Sequence, residues 1–328
     1  MPRHNSVIAL ISILALAPAG VYAQQQAAKD YPSKPIRVVV PYAPGGPMDF
    51  IGRVLGNRMA PTLHQNLVID NRPGAGGAIG TAAVAKAPPD GYTILLTSSS
   101  HSSLPVVLKS VPYDAVKDFT PITLVANSVG FILVAHPSVP ARSVKELVAL
   151  AKAQPGKLTY ASAGVGNVMH LAAESFNLTA GTRISHIPYK GVGQAIGDLL
   201  GGRVDVSFVP GTAGLPHIQS GKLRALGLAA PARWSLLPDV PTISEAGVKG
   251  YKYAPFYGLW FPAGAPQEYV ARIRGEVVKA LADPEVARAF AEQGFVTVGS
   301  TPAEFTKAIL DELEFNRTLV AKIGLTPE

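Results

Sequence analysis

The chain has 328 residues, of which 29 are Lys or Arg and 22 are Asp or Glu, giving a formal net charge of +7, and it contains no cysteine. The basic residues are scattered without a Lys/Arg cluster or interleaved aromatic residues, which argues against nucleic-acid binding. Without cysteine, the chain can form neither a disulfide framework nor a lipid anchor on an N-terminal Cys.

The amino-terminal segment, residues 1–23, has the pattern of a signal peptide. Arg3 and His4 precede an apolar run over residues 7–17, and the small residues ending at Ala23 supply a cleavage site. The apolar run is too short to span a bilayer, and no later stretch is long and apolar enough to be a membrane helix. We therefore expect cleavage near Ala23, export to the periplasm without membrane insertion, and a mature chain of about 300 residues that forms two domains.

Residues 42–49 are predicted to form a strand-to-helix turn. They follow a β-branched run over residues 36–40 and precede apolar residues at helical spacing over residues 48–59. The adjacent glycines, Gly45 and Gly46, let the backbone approach a ligand, and the first N–H groups of the helix face outward at the positive end of its dipole. The turn therefore predicts an anion site, although a glycine pair also fits a purely structural corner.

Strands and helices alternate along the rest of the chain, which predicts an α/β fold. Further strands are expected over residues 67–70, 92–97, 131–134, 157–161, 204–209, 223–229 and 257–261. Further helices are expected over residues 79–87, 143–153 and 194–200, after Asn167, and from Pro266, Pro284 and Pro302 onward. Glycine-rich corners lie at residues 71–77 and 162–167, and a run of hydroxyls over residues 97–100 ends the third strand, where ligands bind in open α/β sheets.

Enzymatic functions are weaker alternatives. Residues 74–80 approach a dinucleotide-binding fingerprint, but Ile79 stands at its sixth position, and an exported protein meets little nicotinamide cofactor. The serine run beside His101 lacks the G-x-S-x-G elbow of a hydrolase, and the histidines show no metal-ligand spacing. Asp49 suits the first turn of a helix, where it complements the dipole, better than the role of a catalytic base. We therefore expect no catalytic residue, no metal and no cofactor.

Seven short motifs occur in order along the mature chain. They are residues 31–37 (YPSKPIR), 44–49 (PGGPMD), 71–77 (NRPGAGG), 112–114 (PYD), 188–191 (PYKG), 198–205 (DLLGGRVD) and 237–242 (LPDVPT). Together they resemble the Bug family, the extracytoplasmic substrate-binding receptors of tripartite tricarboxylate transporters. The resemblance implies a periplasmic-binding-protein fold of type II. In that fold, two α/β lobes with mixed sheets flanked by helices are joined by two crossing strands and close like a Venus flytrap over a small carboxylate.

The resemblance also implies how the chain divides. Lobe 1 is expected to comprise residues 31–130 and 257–328, and lobe 2 residues 131–256, with crossing strands near residues 131–134 and 259–261. The glycine corners near Gly45 and Gly164 are expected to hold the carboxylate from opposite lobes through backbone N–H groups and trapped water. Hinge closure would then be what the membrane partner recognises. We expect a monomer that works with a large and a small membrane subunit.

Departures from the family pattern point to a less polar cleft. This chain has Pro47-Met48 and Asn167-Val168-Met169 where small polar residues are common, Val209-Pro210 where an Asp is common after Phe208, and Phe256 in place of Trp. A carboxylate with an apolar body, aromatic or otherwise, fits such a cleft, although Val168, Met169 and Val209 fit the protein core equally well. The expected ligand-binding residues are Tyr42, Pro44, Gly45, Gly46, Pro47, Met48, Asp49, Thr97, Ser98, Ser99, His101, Ser162, Ala163, Gly164, Gly166, Asn167, Val168, Met169, Tyr189, Phe208, Val209 and Phe256.

Two functions fit these features. One is a transport receptor, and the other is a sensory binding protein of the same fold that presents its ligand to a signalling partner. Both need only a two-lobe receptor that closes, so the sequence leaves them open. Neighbouring genes for a large and a small membrane subunit would favour transport, and a neighbouring sensor kinase would favour signalling.

Overall fold

The computed structural model describes residues 31–230, 232–251, 253 and 255–324. The predicted signal peptide, residues 1–23, lies outside these residues, and its cleavage near Ala23 stays a prediction. Among the described residues, no helix combines the length and the apolar character needed to cross a bilayer.

The described part of the chain alternates between strands and helices. The strands are β1 (Ile36–Val40), β2 (Leu67–Asn71), β3 (Thr93–Ser98), β4 (Phe119–Ser128), β5 (Phe131–Ala135), β6 (Thr159–Ser162), β7 (Ser185–Pro188), β8 (Val206–Val209), β9 (Arg224–Ala229), β10 (Phe256–Pro262) and β11 (Phe295–Thr297). The helices are α1 (Pro47–Leu63), α2 (Ala78–Ala85), α3 (Ser100–Val107), α4 (Val144–Ala153), α5 (Val168–Ala180), α6 (Val192–Leu200), α7 (Gly211–Gln219), α8 (Gln267–Leu281), α9 (Pro284–Glu292) and α10 (Pro302–Ile323), and a 3-10 turn spans Ala75–Gly77.

The strands form two mixed sheets. The first has the order β11-β4-β10-β3-β1-β2, and the second has the order β7-β6-β8-β5-β9. In the first sheet, β1 pairs in parallel with β2 and β3, whereas β10 runs antiparallel to β3 and β4. In the second, β6 is parallel to β7 and β8, and β5 is antiparallel to β8 and β9. We call the first sheet with its helices lobe 1 and the second sheet with its helices lobe 2; the predicted α/β fold with two mixed sheets is confirmed.

Helix starts follow the capping signals in the sequence. Thr301 and Glu304 form the predicted capping box of α10, in which each side chain bonds the other residue's backbone N–H. The Ser143 hydroxyl accepts a hydrogen bond from the N–H of Glu146 and so starts α4. By contrast, α1 begins at Gly46 and Pro47 without any side-chain cap among the described residues, so its first N–H groups are left for other partners.

Each lobe has its own hydrophobic core. Lobe 2 packs Phe176, Phe208 and the strand β5 into one cluster of buried side chains. In lobe 1, β10 places Tyr257 and Phe261 on one face of the sheet and Trp260 on the other, and all three side chains are fully buried. Because neighbouring strand residues point to opposite faces, this one central strand supports the cores on both sides of its sheet.

The strands predicted to cross between the lobes are sheet members. Residues 131–134 lie in β5, inside the second sheet, and residues 259–261 lie in β10, inside the first. The chain first leaves the first sheet through Val129 and Gly130, directly after β4. Residues 131–134 and 259–261 are not isolated linkers, because β5 and β10 each form hydrogen bonds with a neighbouring strand on both edges. The lobe boundaries expected from the sequence stay a prediction.

The last helix contacts both lobes. The first half of α10 contributes Phe305 and Ile309 to the lobe 1 core around Trp260. Its second half contributes Leu319 and Val320 to the lobe 2 core. The helix therefore reaches across both lobes, whereas the family resemblance implied that residues 257–328 belong to lobe 1 alone.

Candidate functional site

A narrow cavity lies between the two lobes. Lobe 1 lines it with Tyr42, Ala43, Gly46, Pro47, Met48, Ser98 and Tyr257, and lobe 2 lines it with Phe131, Ala163, Asn167, Val168, Met169, Val192 and Pro210. The space open to a water molecule is about 20 Å³, little more than one water needs. A larger ligand therefore needs the lobes or the lining side chains to move.

Four helices begin at this cavity. The lining contains the first residues of α1, α5 and α6 and the residue before α7, namely Pro47, Val168, Val192 and Pro210. No side-chain cap covers the starts of α1, α6 and α7 among the described residues. Uncapped helix starts leave backbone N–H groups without partners, and they carry the positive end of the helix dipole. The cavity is therefore a favourable place for an anion.

The polar side chains of the lining are all uncharged. The hydroxyl of Tyr42 donates a hydrogen bond to the carbonyl of Gly76 and accepts one from Nδ2 of Asn167 at 3.1 Å. Tyr257 of β10 also lines the cavity, and its side chain is buried. Burial raises the pKa of both tyrosines, so both stay protonated at neutral pH. Tyr257 is therefore a neutral donor that can bond an anion without bringing a charge of its own, whereas the single hydroxyl proton of Tyr42 is already bonded to Gly76.

The remaining wall is apolar. Met48 of lobe 1 faces the same cavity as Met169, Phe131 and Pro210 of lobe 2. Methionine is unbranched and flexible, so two methionines on opposite lobes can adapt to ligands of different shape. The arrangement can hold a carboxylate through N–H and hydroxyl donors while its carbon skeleton packs against apolar side chains.

The structure brings nine of the predicted ligand-binding residues together at the cavity. They are Tyr42, Gly46, Pro47, Met48, Ser98, Ala163, Asn167, Val168 and Met169. The lining also contains five residues outside the predicted set, namely Ala43, Phe131, Val192, Pro210 and Tyr257. Val192 begins α6, close to the start of the helix predicted over residues 194–200, whereas Pro210 precedes α7, a helix that the sequence patterns do not predict.

The first glycine turn differs from the expectation. Pro44 and Gly45 are exposed, and the N–H of Gly45 donates to Oδ2 of Asp49 at 3.2 Å. Arg53 donates two further hydrogen bonds to the Asp49 carboxylate, at 3.0 and 3.1 Å. Burial acts to raise the pKa of Asp49, but the bonds from Arg53 and Gly45 outweigh it and the pKa is lowered. Asp49 thus closes its own turn, and Gly46 to Met48 is the part of the turn that faces the cavity.

The glycine loop of lobe 2, residues 162–167, also differs from the expectation, because its backbone N–H groups are bonded within the loop and the helix that follows. The N–H of Gly164 donates to the Ser162 hydroxyl at 3.1 Å, and the N–H of Gly166 donates to Nδ1 of His170 at 3.0 Å. The N–H of Met169 is capped by Oδ1 of Asn167 at 2.9 Å. The amides expected to hold a carboxylate near Gly164 therefore already have partners within the loop.

Five further predicted residues are buried away from the cavity. They are Thr97, Ser99, Phe208, Val209 and Phe256, each nearly inaccessible to solvent. Val209 belongs to the lobe 2 core, and Phe256 packs edge-on against Phe305 in lobe 1. The cavity lining includes neither Val209 nor Phe256, contrary to the expectation from the sequence.

His101 and Tyr189 have structural partners. His101 packs against Tyr113, Phe119 and Trp260, and its Nε2 lies 2.7 Å from the carbonyl oxygen of Ala115. Tyr189 lies in an open groove at the seam of the lobes, where its hydroxyl donates to Asp198 at 2.7 Å. Neither residue lines the cavity, and each is hydrogen-bonded to a residue of its own lobe instead.

Acid should destabilise the protein between about pH 6.5 and pH 3. Burial lowers the pKa of His101 and of His170 to about 4, and burial together with the nearby His170 lowers the pKa of His186 to about 3, from an ordinary value of 6.5. As the pH falls through 6.5, the unfolded chain binds protons before the folded one, so stability is complete above that pH and is lost below it. Because one unit of pKa is worth about 1.4 kcal/mol, we expect a loss of several kcal/mol.

Urea unfolding at several pH values across this window measures the effect. The His186→Gln variant should show a shallower dependence of the unfolding free energy on pH, because one proton-linked group is gone. Equal unfolding free energies at about pH 7.5 and pH 5 would contradict the prediction.

Comparisons with known proteins place this geometry in a family. Residues 51–325 match the sequence model described as tripartite tricarboxylate transporter family receptor (TctC). The chain is 39% identical to protein BugT of Bordetella pertussis over 321 residues, which cover 97% of both chains. It matches the structure of the periplasmic binding protein BugD with a TM-score of 0.87 and 34% identity, covering 91% of this chain and 100% of BugD.

Two similar structures contain carboxylates. Rpa4515 of R. palustris with adipate matches with a TM-score of 0.88 and 31% identity, covering 91% of this chain and 100% of that one. MatC of Rhodopseudomonas palustris with bound malate matches with a TM-score of 0.84 and 30% identity, covering 88% of this chain and 100% of that one. The periplasmic-binding-protein fold expected from the sequence is confirmed.

Proposed function

The chain belongs to the tripartite tricarboxylate transporter family of receptors, and from this premise we propose that it is a periplasmic receptor that captures a small carboxylate between its lobes. It then delivers this ligand to a tripartite membrane transporter. Its partners are a large and a small membrane subunit, and it acts as a monomer. The signal peptide directs export and is cleaved near Ala23.

One observation carries the proposal. Helices from both lobes present their N-terminal residues to one cavity whose lining side chains are all uncharged. Each helix start favours an anion by about 0.3 to 1 kcal/mol at an exposed site, and more where water is excluded. Because lobe 1 supplies α1 while lobe 2 supplies α5, α6 and α7, an anion between them gains from both lobes only when they come together. Ligand binding and lobe closure are thereby coupled.

The lining also supports a ligand class. Adipate and malate in the related structures are both small dicarboxylates. In this chain the apolar part of the lining is formed by methionine, phenylalanine, valine and proline side chains, most of which stand at the helix starts themselves. Such a wall favours an aromatic or otherwise apolar mono- or dicarboxylate, because it offers no charged group to a second polar substituent.

A thermal-shift screen of mono-, di- and tricarboxylates tests the proposal. A carboxylate present at 100 times its Kd should stabilise the folded protein by about 2.7 kcal/mol. The stabilisation should survive dialysis against EDTA, because no group of three or more His, Asp or Glu side chains in the described chain is arranged to hold a metal ion. A screen without any stabilising carboxylate would refute the receptor function, and a need for added divalent ions would refute the metal-free site.

The Gly46→Val variant serves as the matched control for that screen. Gly46 has φ −91° and ψ 179°, which valine adopts readily, and a Cβ there would lie 4.0 Å from the nearest atom, the carbonyl oxygen of Ala43. The variant should therefore fold. Because Gly46 lines the cavity beside the start of α1, the larger side chain should remove the stabilisation by ligand.

A further inference from the structure

The serine-rich start of α3 bonds directly to the other lobe. The hydroxyl of Ser103 donates to the carbonyl of Gly166 at 2.7 Å. The hydroxyl oxygen of Ser100 accepts the N–H of Val168 at 3.2 Å, and Nδ2 of Asn167 lies 3.4 Å from it. Ligand contacts were expected from the hydroxyl run over residues 97–100, of which Ser98 lines the cavity and Ser100 does not; Ser103 does not line it either.

Helical spacing separates these serines into two faces. Ser100 and Ser103 are three residues apart, so they share one face of α3, and that face meets lobe 2. Ser99 and Ser102 are likewise three apart on the neighbouring face. Their hydroxyl oxygens are buried and have no hydrogen-bond partner within the part of the chain that the structure describes. The four serines are therefore alike in burial and differ in what they bond.

We infer that Ser100 and Ser103 are positioning residues that latch the two lobes in the closed arrangement. The inference rests on the proposed function, since it assumes that the lobes close over a ligand. The latch bonds the loop that starts α5, the loop that places Asn167, Val168 and Met169 at the cavity. It thus sets where the lobe 2 part of the site stands relative to α1.

The latch can open without leaving a buried group unpaired. The Ser103 hydroxyl lies 3.3 Å from the carbonyl of Ser100 in its own helix, so it keeps an acceptor when Gly166 moves away. On opening, water can bond the carbonyl of Gly166 and the N–H of Val168. Hydrogen bonds to the other lobe are then exchanged for hydrogen bonds to water. Each hydrogen bond between the lobes should therefore shift the ratio of closed to open protein by only roughly two- to twelvefold. Apparent affinity falls by the same factor when the closed form becomes scarce.

Matched Ser103→Ala and Ser102→Ala variants test the latch. Both remove one buried hydroxyl from α3, but only the first breaks a bond between the lobes. The readout is the distance between spin labels on Lys109→Cys and Lys190→Cys, two exposed positions beside the seam groove, in a chain that has no other cysteine. Distances are measured without ligand and with adipate or benzoate as the probe. We expect the short-distance population to fall in Ser103→Ala and to match the parent protein in Ser102→Ala.

The affinity of the two variants for the probe gives a second, independent test of the latch. Ser103→Ala should bind the probe roughly two- to twelvefold more weakly through faster dissociation, with Ser102→Ala unchanged. Equal short-distance populations in Ser103→Ala and the parent, or an equal fall in both variants, would overturn the latch. A third outcome is that the parent protein binds neither probe nor any other carboxylate, while the Ser103→Ala variant still loses its short-distance population. That result would refute the receptor function and support the latch.

Discussion

Replacing Gly76 by alanine should weaken ligand binding by roughly 10- to 100-fold while leaving both lobes folded. Gly76 belongs to lobe 1, and a Cβ there would lie 2.5 Å from the carbonyl oxygen of Val165 in lobe 2. That distance is well inside van der Waals contact, and backbone on both sides leaves little room to adjust. Separating the lobes relieves the clash, so the open form gains relative to the closed one.

Backbone strain must be distinguished from this steric effect. Gly76 has φ +63°, where an alanine is strained in the open and closed forms alike, so the strain lowers stability without changing affinity. Gly221 provides the matched control, because it has φ +70° and a Cβ there would meet no atom within 4 Å. Gly221→Ala should therefore lose similar stability and keep its affinity.

Isothermal titration of both variants with a carboxylate from the thermal-shift screen decides the matter. Thermal unfolding of the two proteins supplies the comparison of stability. If Gly76→Ala bound as tightly as Gly221→Ala, contact between Gly76 and Val165 would not be part of the ligand-bound form, and the coupling of binding to closure would need another contact.

Much of the fold follows from local patterns in the sequence. The β-branched run of β1 and the capping box of α10 each specify their element within a few residues. The strand β4 was not predicted; it contains Pro121, and proline is unusual inside a central strand. In the structure β4 pairs on both sides, and the register shifts next to the Pro121 position. The irregular pairing that accommodates Pro121 is made by a partner strand that is distant in sequence, so the local sequence does not reveal it.

Short and proline-containing helices were missed for a related reason. The helices α3 and α7 contain Pro105 and Pro216, and α3 begins with serines that favour turns and caps over helix interiors. Their formation depends on packing, as the contact of α3 with α10 shows. The hydroxyl run over residues 97–100 was therefore interpreted as a ligand-binding strand end. In the structure Ser98 lines the cavity, whereas Ser100 begins a helix that bonds to the other lobe.

The candidate site was predictable where a motif precedes a helix. The turn before α1 and the loop before α5 are both marked by glycines, and both contribute to the cavity. Val209 and Pro210 show the limit of this approach. They are adjacent, yet Val209 ends β8 with its side chain in the core, while Pro210 starts α7 at the cavity. Neighbouring positions at a strand end face opposite ways, and composition alone does not tell which one faces the ligand.

An apolar carboxylate should bind about a hundredfold more tightly than malate or citrate. Burying about 100 Å² of a ring or chain at roughly 25 cal/mol per Å² contributes about 2.5 kcal/mol, which corresponds to roughly that factor. The wall that receives this surface consists of Met48, Phe131, Met169, Val192 and Pro210. A hydroxyl on the ligand would lose its water against these side chains at a cost of about 1 to 3 kcal/mol. Both effects favour the apolar ligand.

The small size of the cavity also affects which carboxylate binds best. Its open space is about 20 Å³, so any ligand must displace lining side chains or hold the lobes slightly apart. The methionines Met48 and Met169 can move at low cost because their side chains are unbranched. A branched, fully hydrated tricarboxylate such as citrate needs the largest displacement and also the most desolvation. We therefore expect citrate to bind most weakly of the compounds compared.

Isothermal titration with benzoate, terephthalate, adipate, malate and citrate measures this order. Val209→Asp would be a poor variant for the test, because it places a carboxylate in the lobe 2 core. Val192→Thr changes the cavity wall with little change in side-chain volume and adds a hydroxyl that can bond a polar ligand. It should narrow the gap between malate and benzoate, whereas Val116→Thr, at an exposed position outside the lining, should not. Tighter binding of malate or citrate than of benzoate and adipate by the unaltered protein would mean that the apolar wall does not select the ligand, and that specificity resides in the N–H and hydroxyl donors alone.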